Sequence, residues 1–141
     1  MLNDQVKLVG LAINCYQKSK LHVQSFFLAT DRRGLDIIMP RMICSNDKIT
    51  VIEQTEVGMT QAVLHEGYNI ACTMQYWKDH DFRDLNSTEK KCSIVPNDIF
   101  FANAYNGATP HPMEFVFVKV NRPGLMNGLV KEYTRWALAD F

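Results

Sequence analysis

The chain has no excess of charge of either sign. Fifteen Lys and Arg balance fifteen Asp and Glu, for a formal net charge of zero over 141 residues. That excludes the broad positive surface behind sequence-independent nucleic-acid binding, although a local basic patch is compatible with it. There is no glycine-rich phosphate loop. Gly107 and Gly124 stand alone, and neither opens a P-loop or a dinucleotide fingerprint. There is no close cysteine pair: Cys15, Cys44, Cys72 and Cys92 are far apart, which excludes CxxC redox and zinc motifs. No apolar run is long enough to cross a bilayer. Met1-Leu2-Asn3-Asp4 lacks the basic start of a secretory signal, and the apolar run from Leu8 to Ile13 is short and carries Gly10. No low-complexity segment or repeat period occurs.

What is present is ordinary for a folded protein: 47% hydrophobic and 21% charged residues. The length suits a single domain over 1–141, large enough to bury a core without disulfide or metal staples. The scattered cysteines read as reduced thiols, which places the chain in the cytoplasm. The rival is a secreted protein with two disulfides, and the Asn86-Ser87-Thr88 sequon fits that rival.

Along the chain, the pattern predicts a helix from about Asp4 to Ser19, capped by Asn3-Asp4, with Leu8, Leu11, Ala12, Cys15 and Tyr16 as its stripe. Leu21–Thr30 and Leu35–Met39 flank the turn-like Asp31-Arg32-Arg33-Gly34 and read as a hairpin, which Pro40 limits. Ser45-Asn46-Asp47 is turn chemistry, and Lys48–Glu56 follows as a strand. Thr60–His65 reads as a short helix stopped by Gly67. Tyr68–Trp77 alternates as a half-buried strand. Lys78–Lys91 is a charged excursion with Phe82 and Leu85 as its apolar pegs. Ile99–Tyr105 reads as a strand and Asn106-Gly107 as a turn leading to a proline loop. Glu114–Val120 reads as an interior strand, with Phe115 and Phe117 on one face and Val116, Val118 and Val120 on the other. A closing helix carries Met126, Leu129, Val130, Tyr133, Trp136 and Ala137 on one stripe. The predicted class is α+β: a mostly antiparallel sheet of about five strands packed by N- and C-terminal helices.

The residues with catalytic chemistry lie in the second half. His65-Glu66, Asp79-His80-Asp81 and His111 could share a proton or a divalent metal if they converge. The order His65, His80-Asp81, Asp98 superficially resembles the metal-dependent HD hydrolases, but those are helical and the middle of this chain reads as strand. The plain alternative is a solvated loop and a helix end. Cys92 with His111 or His80 is the one thiol–base pairing in the sequence. Arg32, Arg33 and Arg41 suit phosphate, with ordinary turn solvation as the alternative. Trp77 is either a partly exposed anchor or a tryptophan covered by its own loop; with Tyr105, Asn106 and His111 it forms the candidate interface.

Three functions follow. The first is a small non-catalytic binding or assembly protein, acting through a protein partner or self-association, with no cofactor, metal or membrane. The second is a hydrolase or nuclease using His80, Asp81 and His111. The third is a nucleotide or nucleic-acid binder using Arg32, Arg33 and Arg41.

Overall fold

The structure, a computed structural model, describes residues 1–15, 20–95, 98–101, 103–107, 114–116 and 134–139. It is a mixed α+β arrangement of two small sheets and short helices. Strand β1 (Val6–Gly10) is central in a three-stranded sheet. β4 (Leu28–Thr30) pairs with it antiparallel and β5 (Asn69–Cys72) pairs with it parallel. β2 (Ile13–Asn14) and β3 (His22–Val23) form a second, antiparallel pair. The expected sheet of about five mostly antiparallel strands therefore holds only loosely: the five described strands divide into two sheets, and one of the main pairings is parallel.

The predicted N-terminal helix is replaced by β1 and β2. The cause lies in the burial: Lys7 through Ile13 are all buried. A strand covered on both faces reads as a continuous apolar run, which periodicity does not separate from a helix. Lys7 is tolerated there because its ammonium lies 2.6 Å from Asp31 and over the Tyr68 ring. That hydrogen bond holds the Asp31 carboxyl below its ordinary range.

Three helices begin at aspartates. Asp31 caps α1 (Arg32–Ile38) by accepting from the Gly34 N–H at 2.8 Å. Asp47 caps α2 (Lys48–Val51) by accepting from Thr50 N–H, also at 2.8 Å. Asp84 caps α4 (Leu85–Cys92) by accepting from Ser87 N–H at 3.1 Å. The predicted hairpin partner Leu35–Met39 and the predicted strand Lys48–Glu56 are thus helical. Asp-rich turns and helix N-caps share one local chemistry, and the residues that follow decide between them. Gly34 serves a second need, because a Cβ there would lie 2.2 Å from the Lys7 carbonyl oxygen. Only glycine lets the start of α1 sit against β1.

From α2 the chain passes through a π-helical segment (Ile52–Val57) into α3 (Gly58–His65). The extra residue per turn rotates the apolar stripe. Met59, Thr60 and Val63 are then buried. Thr60 is fully buried and accepts from Val23 N–H at 3.0 Å, tying α3 to β3. The helix ends at Gly67 in the left-handed region, as expected. The expected strand over Tyr68–Trp77 is shorter: β5 stops at Cys72, and Gln75–Trp77 is a 3₁₀ turn. The core gathers Leu8, Ile13, Val63, Ile70, Met74 and Phe82.

Ile99 to Phe101 and Asn103 to Tyr105 are turns with isolated pairing rather than a strand, although the Asn106-Gly107 turn is present with both residues at positive φ. Of the predicted interior strand, Glu114 to Val116 are described and are not a strand. Phe115 is buried, but Val116 is 68% exposed. Phe117 to Val120 lie outside the described residues, as do Met126, Leu129, Val130 and Tyr133 of the predicted stripe. Residues 134–137 are helical, yet Trp136, expected on the buried stripe, is 52% exposed.

The cysteines are not four reduced thiols. Cys15 and Cys92 form a disulfide, Cys44 is free and exposed, and Cys72 is free and buried. The bond ties the end of the small sheet to the last turn of α4. It also removes Cys92 as a nucleophile.

Candidate functional site

Two hollows flank Arg83. The larger, about 860 Å³, is a groove between α1 and α3, closed along one side by Phe82, Arg83 and Leu85. Ile37, Ala62, Leu64 and Phe82 give it an apolar floor. A recess of about 60 Å³ continues it past Leu64, Phe82 and Leu85 to Leu21, Thr88, Glu89 and Cys92. Phe82 is 1% exposed and anchors the charged excursion, whereas Leu85 is 70% exposed at the groove margin.

The predicted residues Arg33, Arg41, His65 and Glu66 all border this groove. Arg33 is engaged: its Nη2 donates to Glu66 at 3.2 Å, and its guanidinium lies over Tyr68. Arg83 is engaged more fully. It donates to both carboxylate oxygens of Asp81, at 2.8 and 2.9 Å, and to Gln5 and the Gly67 carbonyl. Those bonds hold Asp81 below the ordinary carboxyl range. Arg41 differs, since its stem lies along Gly58 and its guanidinium meets no partner among the described residues. Arg32 is paired along α1 with Asp36 and does not border the groove.

The second hollow, about 690 Å³, lies along β5 and is lined by Asn69 to Gln75, Trp77 to Asp81 and Arg83, with Met1, Asn3 and Val6. It holds His80 and Asp81, whereas His65 and Glu66 border the groove on the other side of Arg83. The two halves of the predicted catalytic set are therefore divided between two hollows. His111 lies outside the described residues. His80 is packed against Trp77 and Phe82, with ring centroids 5.1 and 4.7 Å away. Its Nε2 pairs with Thr88 Oγ1 at 2.9 Å. Burial and, second, the nearby Lys91 push its pKa below the ordinary histidine value. Among the described residues no group of three or more His, Cys, Asp or Glu side chains is placed to hold a metal ion. Asp98, the last member of the HD-like order, is buried and accepts from Gln24 Nε2 at 2.9 Å.

Trp77 is the covered tryptophan, not the exposed anchor: it is 2% exposed and packs on Tyr76, His80 and Phe82. Tyr105 is half-buried. Its hydroxyl donates to Glu114 Oε1 at 2.6 Å and accepts from Tyr76 N–H at 3.2 Å, and burial raises its pKa. Asn106 is exposed in its turn. The predicted interface residues therefore form no shared exposed surface among the described residues. Sequence reasoning missed the groove. Its available signal was Leu85, an apolar residue directly after the Asp84 helix cap in a charged stretch.

Compared with protein-family models, curated proteins and solved structures, the chain matches none of them. Among the described residues, no helix is long and apolar enough to cross a membrane.

Proposed function

We propose that this is a small non-catalytic binding protein that acts through protein–protein contact as one domain. One observation carries the reading. Leu35, Met39, Met42, Ile49 and Leu85 are 40, 53, 54, 60 and 70% exposed, and Leu85 borders the groove. Single exposed apolar residues are ordinary, but one at the margin of an apolar-floored groove, with four more from α1 to α2, supports contact with a partner. Methionines suit such a surface because their side chains adapt to different shapes. Self-association is one form of this reading. Light scattering across a concentration series tests it: growth in mass that Met39→Ser abolishes supports a homo-oligomer, and a constant monomer mass removes that form.

A phosphate-binding reading is favoured by one feature, Arg41 at the groove margin. The engagement of Arg33 with Glu66 and of Arg32 with Asp36 leaves it less to work with. A hydrolase using His80 and Asp81 would have to work without His65 and Glu66, which border a different hollow. Residence in the cytoplasm requires the Cys15–Cys92 bond to survive glutathione, whereas an oxidising compartment forms such bonds readily.

A further inference from the structure

We infer that the α1–α3 groove takes a protein segment carrying two apolar side chains and a carboxylate, with the carboxylate paired to Arg41. The inference rests on the protein-binding reading and names the partner's chemistry. The shape supplies the apolar requirement. The floor of Ile37, Leu64 and Phe82 and the margin formed by Leu85 match one apolar side chain. The recess beyond Phe82, about 60 Å³, has room for the tip of a second. Leu85 is exposed on the free chain and would be buried by such a segment.

Charge supplies the rest. Three guanidinium groups border the groove, but Glu66 engages Arg33 and Asp81 engages Arg83. Asp36, the other acidic residue in the groove lining, is paired with Arg32. Among the described residues, the groove guanidinium left without an internal partner is that of Arg41, beside the α3 backbone at Gly58. A guanidinium binds a carboxylate through two parallel hydrogen bonds, so a partner carboxylate gains both charge and geometry there. With Arg41 at one margin and the recess against α4 at the other, the segment lies with its acidic residue towards Arg41 and its second apolar residue towards α4.

The test is selection of random dodecapeptides displayed on phage against the whole chain. The selected peptides are then measured on Arg41→Glu and Leu85→Lys variants. Both residues are exposed, and circular dichroism checks that each variant stays folded. The expected peptides combine two apolar residues with Asp or Glu. Each variant weakens them tenfold or more, and replacing the peptide's acidic residue with Lys restores binding to Arg41→Glu. Peptides without an acidic residue in common, or a failure of the charge swap, would overturn the inference. Peptides that bind both variants as well as the natural chain would also overturn it, but would leave the broader protein-binding reading standing. If no peptide is enriched and the chain instead forms a dimer that Leu85→Lys dissociates, the groove belongs to a second copy and the proposed partner class is wrong.

Discussion

The two hollows beside Arg83 use polar residues in opposite ways. Along β5, Asn69, His80 and Asp81 are each paired with other groups of the chain. Asn69 donates to the His80 carbonyl and accepts from Phe82 N–H, His80 pairs with Thr88, and Asp81 is held by Arg83. Around the α1–α3 groove, Arg41 and Leu85 face outward, one a charge and the other an apolar surface. Residues with catalytic chemistry can thus be structural when their hydrogen bonds are satisfied internally. The comparison predicts that changes along β5 lower stability, and that changes at the groove margin alter binding and leave stability alone.

The largest effect is expected for Trp77→Ala. Removing a 2%-exposed tryptophan that stacks on Tyr76, His80 and Phe82 should cost about 3–5 kcal/mol in urea unfolding. A loss below about 1 kcal/mol would mean that the ring is not buried and would break the comparison. Asn69→Ala comes next. It strands the Phe82 N–H and the His80 carbonyl, for a loss of about 1–3 kcal/mol.

His80 gives a smaller effect that depends on pH. Its folded pKa lies below the ordinary value of 6.5. Between the folded value and about 6.5, the unfolded chain takes up a proton that the folded chain refuses. Stability therefore falls as pH is lowered through that window and levels off below it. His80→Gln should flatten that part of a urea-midpoint profile, and an unchanged slope would show that His80 is not the group responsible. The smallest change belongs to the groove: Leu85→Ser and Arg41→Ala should shift stability by no more than about 0.5 kcal/mol. A loss of several kcal/mol from either would show that the margin is core.

The sequence carried more of this than the predicted elements suggest. The end of α3 and its Gly67 stop were legible because a periodic stretch and a glycine coincide there, but its start was not, since α3 continues from the π-helical segment without a side-chain cap. The Asn106-Gly107 turn was legible because both residues tolerate positive φ. Helices α1 and α2 were not, because Asp31 and Asp47 open helices with the residues that also make turns. The β-branched run Ile49 to Ile52 also favours strand locally, and tertiary packing overrides it. Strand β1 was hidden by its own burial. The candidate site was half legible: Arg33, Arg41, His65 and Glu66 were named from the sequence and do border one groove. Their separation from His80 and Asp81 was not legible, since it follows from the fold of the chain around Arg83.

Helix α4 serves both hollows. Thr88 supports His80 on one side, while Leu85, Glu89 and Cys92 border the groove and its recess on the other. The Cys15–Cys92 bond fixes the helix in that place, across 77 residues of chain. Thiol counting after unfolding in denaturant tests that placement most directly, on protein handled without reductant. The account predicts two reactive thiols, Cys44 and Cys72, rising to four after reduction. In the folded protein Cys44 should react alone, since burial pushes the Cys72 thiol up to about 12. Four thiols without reductant would contradict the pairing, and with it the placement of α4 on which both hollows depend.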